Sequence, residues 1–253
     1  MVVNLHSHTY RCHHATGTEK QYIERALQGG IKVMGFSDHI PLINDDGTQD
    51  IHRVWVNDAP GYIQTVNALK EDYREVLELH VGFESEFYPA HFGKMLETAQ
   101  NLGAEYLLLG QHFLFNGTVY VGNAANGDAE LEDYVYCIEQ AAKTGKFTYL
   151  CHPDIIAYGG DRRNLINAYK KICEISNKYS LPVEINMLGI RDNRRYPNPE
   201  FWKIAGEYGC ETVFGFDAHD AQSAYDGQSL AVAEKMVKEF NLNLNEHPKI
   251  VQI

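Results

Sequence analysis

The segment LHSHTYRCHH, which spans residues 5–14, decides how the rest of this sequence is interpreted. Its first two histidines, His6 and His8, lie two positions apart, so both side chains would leave the same face of a β-strand. The apolar run at residues 2–5 is typical of a buried strand that leads into them. Two imidazoles at the end of a strand can bind one divalent metal ion. Taken alone, the pair is equally well explained by surface histidines, or by buried histidines that bind carbonyl groups.

Strand and helix patterns alternate along the rest of the chain. Short apolar runs typical of strands lie at residues 2–5, 31–37, 79–83, 105–110, 147–151, 183–186 and 212–216. Segments with apolar residues at helical spacing separate them, as at residues 61–77 and 165–179. Strands that alternate with helices usually form a parallel sheet, so the sequence predicts an α/β fold.

Six of these seven strands are followed by His, Glu or Asp residues that can bind metals. In an α/β barrel the catalytic groups come from the C-terminal ends of several strands. In the competing open, doubly wound sheet, ligands gather at one switch point, and few strand ends would be used. The sequence therefore predicts a single barrel domain over residues 1–253, with about seven strands and a metal site at their C-terminal ends.

The candidate metal ligands are His6, His8, His14, His39, Glu84, His112, His152, Asp217 and His219. Each of them alone is more often structural than functional, but together they are expected to converge. Nine ligands are too many for one zinc ion, which takes about four, and they suit two or three ions with bridging carboxylates. His13 is an alternative to His14, and Cys12 is either a further ligand or a small buried thiol.

The composition limits the partners that this protein can have. The net charge of −12 argues against extended nucleic-acid or anionic-membrane surfaces, because both need a basic binding surface. A small anionic substrate is compatible with it, provided that metal ions make the site locally positive. The five cysteines form no C-x-x-C pair and fit reduced thiols, which predicts a cytoplasmic protein. No apolar run is long enough to span a bilayer.

In order and over nearly the whole chain, these motifs resemble those of the polymerase and histidinol phosphatase (PHP) family of metal-dependent phosphoesterases. They are H-x-H at His6 and His8 with a third histidine at His14, S-D-H at His39, G-x-E at Glu84, His112 after an apolar strand, H-P-D at His152, and D-A-H at Asp217 and His219. The run D-H-x-P-L ending at Leu42, and the series E-I-N, R and Y-P within residues 184–197, resemble the histidinol-phosphatase branch. Gln111 and the pair Met187 and Leu188 depart from the residues usual in that branch.

This resemblance implies a distorted (β/α)7 barrel that holds three divalent metal ions, which can be Zn, Fe or Mn. The implied ligand sets are His6, His8, Glu84 and Asp217 for one ion, Glu84, His112 and His152 for a second, and His14, His39 and His219 for a third. Glu84 would bridge the first two ions, and both Glu84 and Asp217 would be catalytic as well as metal-binding. Every position of the family's ligand set is filled, so the resemblance implies an active enzyme.

Hydrolysis of a phosphomonoester explains why such residues are needed. The uncatalysed reaction is among the slowest known, because the substrate dianion repels hydroxide. Metal ions neutralise the phosphoryl oxygens and lower the pKa of bound water from about 15.7 to near 7. With two ions about 3.5–4 Å apart, a hydroxide that bridges them can attack in line.

Arginines in the loops after the fifth and sixth predicted strands suit bidentate phosphate binding. These residues are Arg162, Arg163, Arg191, Arg194 and Arg195. Any single one is more often a solvated surface residue, but Arg191 matches the family's arginine position, and Arg163 and Arg195 rank below it. The acid that protonates the leaving alkoxide stays open between Asp38, Asp154 and a metal-bound water.

As the resemblance implies, the sequence predicts a phosphoric monoester hydrolase, L-histidinol-phosphate phosphatase, which releases histidinol and phosphate in histidine biosynthesis. Trp55, Tyr158 and Tyr196 would either flank the imidazole of that substrate or simply pack. The alternatives are a related phosphoesterase that acts on a nucleotide or another small phosphomonoester, and a non-catalytic metal-binding protein. The acidic charge argues against long polynucleotides as substrates.

Overall fold

The structure is a computed structural model, and it describes residues 2–44 and 46–253 of the 253-residue chain. Its strands are β1 (Val3–Asn4), β2 (Val33–Phe36), β3 (Glu78–Ser85), β4 (Tyr106–Leu109), β5 (Phe113–Leu114), β6 (Val119–Tyr120), β7 (Phe147–Leu150), β8 (Val183–Asn186), β9 (Glu211–Gly215) and β10 (Asn243–Leu244). Its α-helices are α1 (Glu19–Gln28), α2 (Ala59–Tyr73), α3 (Phe92–Leu102), α4 (Asp128–Thr144), α5 (Arg162–Tyr179), α6 (Met187–Arg191), α7 (Pro199–Tyr208) and α8 (Gly227–Glu239). Short 3-10 helices cover Tyr10–Cys12 and Gln222–Ala224.

All seven predicted strands are present, in the predicted order, within one parallel sheet. Among the described residues the sheet has eight strands in the order β1-β2-β3-β4-β7-β8-β9-β10, so the expected number of seven is corrected to eight. The additional strand, β10, has two residues and pairs with Glu211 and Thr212 of β9. A segment this short carries neither an apolar run nor an alternating pattern, so its sequence does not reveal it. The predicted α/β fold is confirmed.

The sheet curls until the segments that follow β1 and β9 meet. Ser7 forms a parallel bridge with Ala218, and the N–H of His8 donates to the carbonyl of Ala218 at 2.9 Å. The side chain of Asn4 adds a further link, because its Oδ1 accepts from the N–H of Phe216 at 3.1 Å. This closure gathers the C-terminal ends of the strands around one mouth, as in an α/β barrel.

Two apolar layers stabilise the barrel. The inner layer comprises the buried side chains of Val3, Leu5, Tyr106, Leu108, Tyr149, Cys151 and Val213. The outer layer is larger, lies between the strands and the helices, and includes Phe36 and Phe83. Within the inner layer the Tyr106 hydroxyl donates to the carbonyl of Leu5 at 2.7 Å. Gly35 makes room for this contact, because a Cβ at that position would lie 2.1 Å from the same hydroxyl.

Local signals determine where the helices begin and end. Thr18 caps α1 in a capping box, and Asp161 accepts from the N–H of Arg163 at the start of α5. Because of this cap, α5 begins earlier than the apolar spacing of residues 165–179 predicts. Gly103 ends α3 with a φ of 84°, a left-handed conformation that favours glycine. Within the described ranges, no helix is long and apolar enough to cross a membrane.

The N-terminal end of the barrel holds a polar group of residues that we call the basal cluster, which consists of Lys70, Glu78, His80 and Glu105. His80 Nδ1 lies 2.6 Å from Glu105 Oε2, and His80 Nε2 lies 2.9 Å from Glu78 Oε1. Lys70 Nζ donates to the other oxygen of Glu105 at 2.6 Å. Each of these charged side chains therefore has a partner within the cluster.

Candidate metal centre

Glu84, near the C-terminal end of β3, lies at the centre of the predicted ligands. Its Oε2 lies 3.3 Å from His6 Nε2 and 3.4 Å from His8 Nε2. Its Oε1 lies 3.0 Å from His152 Nε2 and 3.5 Å from His112 Nε2. The two oxygens therefore face two different groups of imidazoles, as expected of a carboxylate that bridges two cations.

Asp217 is the second carboxylate of the group and follows β9. Its Oδ1 lies 3.2 Å from His8 Nε2 and 3.5 Å from His6 Nε2. The same oxygen lies 3.3 Å from His219 Nδ1. The backbone φ is 48° at Asp217 and 30° at His152, so both residues leave their strands with positive φ. Such conformations cost about 1–3 kcal/mol each and are concentrated at functional sites.

Three further predicted ligands, His14, His39 and His219, are at least partly accessible to solvent. His14 Nε2 and His219 Nε2 are 3.0 Å apart. His39 Nδ1 lies 3.4 Å from Glu84 Oε2, and the rings of His39 and His8 are 4.6 Å apart. All nine residues predicted as ligands therefore converge at the mouth of the barrel.

The two alternatives left open by the sequence, His13 and Cys12, differ in their placement. The His13 ring packs against Trp55, with 4.4 Å between the ring centroids, so His14 rather than His13 lies in the group. Cys12 is fully buried and its thiol contacts a backbone carbonyl at 3.1 Å. Its Sγ also lies within 4.8 Å of ligand nitrogens of His14 and His219.

Several polar atoms of this group are buried and have no hydrogen-bond partner among residues 2–44 and 46–253. They include His6 Nε2, His8 Nε2 and Asp217 Oδ1. Buried polar atoms in proteins are otherwise nearly always paired. Potential ligand atoms also lie within 4.8 Å of one another in several sets of three, such as His6, His8 and Glu84. Unpaired nitrogen and oxygen atoms at this spacing fit a divalent-metal centre.

The pKa shifts of the two carboxylates and of His14 and His219 favour metal binding. Burial would raise the pKa of Glu84, but the surrounding imidazoles hold it well below its usual range. Burial is outweighed in the same way at Asp217, where His6 and other histidines hold the pKa of the carboxyl low. Burial and a neighbouring histidine lower the pKa of His14 to about 4 and that of His219 to about 3. At neutral pH the carboxylates are anionic and these two imidazoles are neutral, as metal ligation requires. At His6 and His8 burial lowers the pKa, but the neighbouring acidic groups outweigh burial and raise it, so a metal ion must displace a proton there.

A cavity of about 600 Å³ lies beside Glu84, and the arginines that line it in the described part of the chain are Arg53, Arg191 and Arg194. Arg191 Nη1 is buried and has no hydrogen-bond partner among the described residues. Arg163 and Arg195 do not line the cavity, and both are exposed. Arg163 pairs with the carboxylate that caps α5. The structure therefore brings Arg191 to the cavity but not Arg163 or Arg195.

The aromatic side chains that line this cavity, within the described ranges, are those of Phe113, Tyr120 and Tyr196. Trp55 and Tyr158 are not among the lining residues. Of the positions that depart from the family pattern, Leu188 lines the cavity. Gln111 is buried and donates to a backbone carbonyl at 2.8 Å, so it stabilises the loop before β5 rather than facing a substrate.

The two carboxylic acids considered for protonation of the leaving group are held by backbone N–H groups. Asp38 accepts from the N–H of Thr9 at 2.7 Å, and burial raises the pKa of Asp38 to about 6. Asp154 accepts from the N–H of Asn198, and burial raises the pKa of Asp154 to about 7. Neither side chain is among the described residues that line the cavity, so neither is placed to reach a leaving group.

Two buried glutamates behind the imidazoles are absent from the predicted site. Glu184 Oε1 lies 2.7 Å from His6 Nδ1. Glu86 Oε1 lies 3.3 Å from His112 Nδ1, and Glu86 Oε2 accepts from Arg53 Nη2 at 2.7 Å. Metal-binding imidazoles usually have such carboxylate neighbours on their second nitrogen. Their sequence signals are weak. Glu86 follows the predicted ligand Glu84 by two positions, and Glu184 belongs to the E-I-N motif.

The sequence resembles known proteins along most of its length. A family model described as PHP domain matches residues 4–187. A curated relative from Deinococcus radiodurans, named probable histidinol-phosphatase, is 26% identical over 243 residues, which are 92% of each chain. The histidinol-phosphatase of Bacillus subtilis is 29% identical over 123 residues, which are 46% of each chain.

The fold also resembles those of solved structures. The histidinol phosphate phosphatase of Lactococcus lactis subsp. lactis, in complex with zinc, L-histidinol and phosphate, superposes with a TM-score of 0.74 at 14% identity and covers 96% of this chain and 94% of its own. The putative histidinol phosphatase of Listeria monocytogenes superposes with a TM-score of 0.74 at 18% identity. The match covers 90% of this chain and 99% of the Listeria chain. At these identities the comparison shows that the fold is shared.

Proposed function

This chain belongs to the PHP family, and we propose that it is an L-histidinol-phosphate phosphatase. The reaction converts L-histidinol phosphate and water to L-histidinol and inorganic phosphate. The family predicted from the motifs is confirmed by the matching model, and the names of the relatives agree with the predicted branch. The observation that carries the proposal is the position of Glu84, whose two oxygens face separate groups of imidazoles beside the cavity.

We propose that this centre binds three divalent ions, Zn, Fe or Mn, because imidazole and carboxylate ligands suit all three metals. The proposed ligand sets are His6, His8, Glu84 and Asp217, then Glu84, His112 and His152, and finally His14, His39 and His219. Bound divalent ions neutralise phosphoryl oxygens and lower the pKa of water from about 15.7 to near 7. The closely spaced donor atoms and the unpaired buried nitrogens support these sets.

Arg191 is the residue that we expect to bind and orient the phosphate. Its buried Nη1 is unpaired among the described residues, so it can donate to a phosphoryl oxygen without breaking an existing hydrogen bond. Arg53 also lines the cavity, but its two terminal nitrogens already contact a backbone carbonyl and the carboxylate of Glu86. We therefore assign the phosphate contact to Arg191 and none to the exposed Arg163 and Arg195.

The cavity walls suit a leaving group that carries positive charge and a flat ring. Four carboxylates outside the proposed ligand sets line the cavity in the described part of the chain, those of Asp50, Glu86, Asp192 and Asp220. The rings of Phe113 and Tyr196 line it as well. Histidinol carries an ammonium group and an imidazole, which carboxylates and aromatic rings bind. This combination favours histidinol phosphate over an anionic nucleotide.

A panel of phosphomonoesters tests the assignment. The purified protein, loaded with Zn²⁺, Fe²⁺ or Mn²⁺ in turn, is assayed for phosphate release from L-histidinol phosphate, p-nitrophenyl phosphate and a mononucleotide. We expect the highest kcat/KM with L-histidinol phosphate. An equal or higher value with p-nitrophenyl phosphate would show that the substrate is wrong, and a preference for the mononucleotide would favour the related phosphoesterase.

Two matched arginine variants test the phosphate contact on the same panel. Arg191→Met removes the unpaired donor in the cavity, and we expect KM for L-histidinol phosphate to rise at least tenfold, about the effect of losing one charge-assisted hydrogen bond. Arg163→Met removes an exposed arginine in the first turn of α5 and should leave KM unchanged. Equal values of KM in both variants would exclude Arg191 from phosphate binding.

We also propose that residues 1–253 form one barrel domain and that the protein works in the cytoplasm. Its five cysteines are all buried and unpaired, which suits a reducing compartment. Limited proteolysis tests the first point, because a single domain should resist cleavage as one unit. Cell fractionation with an antibody to the protein tests the second.

A further inference from the structure

Glu184 lies behind the proposed metal centre, where one carboxylate accepts from three donors. The side chain is fully buried and belongs to β8. Its Oε1 lies 2.7 Å from His6 Nδ1. Its Oε2 accepts from the N–H of His152 at 3.1 Å and from Asn186 Nδ2 at 2.9 Å. Two of the proposed ligands therefore contact the same carboxylate.

Asn186 extends this contact to a third proposed ligand. Its Nδ2 donates to Asp217 Oδ2 at 3.0 Å as well as to Glu184 Oε2. Its Oδ1 accepts from the N–H of Gly189 at 3.1 Å, which fixes the orientation of the amide, because only the oxygen can accept. Both hydrogens of Nδ2 are thus directed at carboxylates.

The hydrogen bonds of Glu184 decide which nitrogen of His6 carries the proton. An ionised carboxylate can only accept, so a neutral His6 ring must donate from Nδ1 to Glu184. The lone pair of His6 then lies on Nε2, the atom that faces Glu84 at 3.3 Å and Asp217 at 3.5 Å. That atom is buried and has no hydrogen-bond partner in the described ranges. The neutral ring is therefore held in the tautomer that can bind a metal ion through Nε2.

The neighbouring strand makes room for this carboxylate. Gly215 in β9 lies beside β8, and a Cβ at that position would lie 1.7 Å from Glu184 Oε1. Any other residue at position 215 would displace the oxygen that accepts from His6. This close fit fixes the position of the Glu184 carboxylate beside His6, which burial between strands alone would not do.

We propose that Glu184, together with Asn186, is a positioning residue that sets the proton on His6 and holds His6, His152 and Asp217 in place for metal binding. This inference rests on the proposed metal-dependent function and adds residues that act through the ligands. The basal cluster provides the contrast, because carboxylates contact both nitrogens of His80 and leave no lone pair for a metal.

Glu184→Gln is the variant that tests this role most directly. In glutamine an NH2 group, which donates, replaces one of the two carboxylate oxygens, so only one acceptor oxygen remains. If its NH2 faces His6, the ring must accept at Nδ1 and carry its proton on Nε2, which blocks metal binding there. If its NH2 faces the other way, it opposes the N–H donors of His152 and Asn186. Either orientation should weaken zinc binding by about 10–100-fold, as is typical for outer contacts of metal ligands.

The measurement is zinc retention by the folded, zinc-loaded protein in a titration with nitrilotriacetate, with zinc determined by mass spectrometry. Long-range 1H–15N spectra of the same samples report which nitrogen of His6 is protonated. We expect the parent protein to show His6 protonated at Nδ1, and Glu184→Gln to lose this signal and release zinc at about 10–100-fold lower chelator concentration. No substrate is used, so this result is independent of the histidinol phosphate assignment.

Glu105→Gln is the matched control, because Glu105 also contacts a histidine Nδ1 but lies in the basal cluster. It should retain zinc like the parent. Asn186→Ala leaves Glu184 in place and should show a smaller loss of zinc, and it decides the question if Glu184→Gln does not fold. Zinc retention equal to the parent in Glu184→Gln, or in Asn186→Ala if only that variant folds, would overturn the proposal.

Discussion

Histidine and carboxylate side chains lie together at both ends of the barrel, but among the described residues only those at the mouth include unpaired polar atoms. In the basal cluster both ring nitrogens of His80 have carboxylate partners, Glu105 at 2.6 Å and Glu78 at 2.9 Å. At the mouth, His6 Nε2 and His8 Nε2 have no hydrogen-bond partner in the described part of the chain. Unpaired lone pairs, rather than residue types, therefore distinguish a metal centre from a structural cluster.

One strand contributes to both ends. His80 and Glu84 both belong to β3, and their even spacing places them on the same face. At the basal end the side chain of Glu78 is 65% exposed, whereas that of Glu84 at the mouth is 1% exposed. A buried charge without a counter-charge costs several kcal/mol, so the mouth should depend on bound cations and the basal cluster should not.

Removal of a ligand at the mouth should have the largest effect. Asp217→Asn replaces a carboxylate whose Oδ1 is unpaired and faces imidazoles. We expect kcat/KM to fall by more than about 100-fold, the upper range for outer contacts of metal ligands. In the basal cluster, Glu105→Gln should leave kcat/KM unchanged. Steady-state kinetics on both variants measure the difference, and equal losses would show that the two ends do not differ in function.

Removal of the metal should lower the thermal stability of the whole barrel. A ligand at 100 times its Kd contributes about 2.7 kcal/mol, so we expect EDTA to lower the Tm of the metal-loaded protein by roughly 5–10 °C. EDTA should lower the Tm of the His80→Gln variant by the same amount, because His80 of the parent offers no free lone pair to a metal. Differential scanning calorimetry measures both values. A Tm that EDTA does not change would argue against a bound metal.

A single added methyl group should weaken the mouth by a moderate amount. A Cβ at position 110 would lie 1.9 Å from Glu84 Oε1, so Gly110→Ala must move that oxygen away from His152 and His112. We expect kcat/KM to fall by about 10–100-fold. The control is Gly93→Ala in α3, where a Cβ meets nothing within 4 Å, and which should stabilise the helix by up to about 1 kcal/mol without loss of activity. Unchanged kinetics in Gly110→Ala would contradict the central place given to Glu84.

The smallest effect that we expect is a pH dependence of stability at the basal cluster. Burial lowers the pKa of His80, but hydrogen bonds to Glu105 and Glu78 outweigh burial and raise it above its usual value of 6.5. Because the pKa of His80 is higher in the folded state, protonation of His80 stabilises the fold. This stabilisation is complete below about pH 6.5 and is lost as the pH rises through the folded-state pKa. The difference in unfolding free energy between the parent and His80→Gln should therefore shrink as the pH is raised from about 6 to about 9.

Urea titrations at the two pH values measure this difference, with EDTA present so that metal binding does not contribute. A difference that grows with pH would mean that His80 is stabilised in its neutral form. In that case the contacts of His80 with Glu105 and Glu78 would not be ion pairs, and the basal cluster could not serve as the comparison for the mouth.

The predicted ligands are accessible to sequence analysis because each of them follows an apolar strand or belongs to the opening segment. His39 follows β2 and His152 follows β7, and these local patterns suffice to single them out. The parallel topology then brings them together, since the C-terminal ends of the strands of a barrel share one mouth. Local patterns and one general rule of topology thus predict most of the centre.

Contacts between distant positions have no such local pattern. Glu184 reaches His6 across 178 positions, and Glu86 pairs with Arg53 across 33 positions. Arg163 shows the opposite error. It follows the fifth predicted strand, as expected, but it lies in the first turn of α5 and its side chain pairs with the carboxylate that caps this helix. The direction of a long side chain depends on its partners in space, which the sequence alone does not identify.

The bridge between Ser7 and Ala218 also has a consequence for synthesis on the ribosome. His14 and His219 are 205 positions apart, and Asp217 leaves the exit tunnel only after β9 has been translated. A nascent chain therefore displays the opening histidines long before it contains the residues that complete their surroundings. Metal capture would be a late step in the maturation of this protein, after barrel closure, rather than a nucleus on which translation could organise the fold.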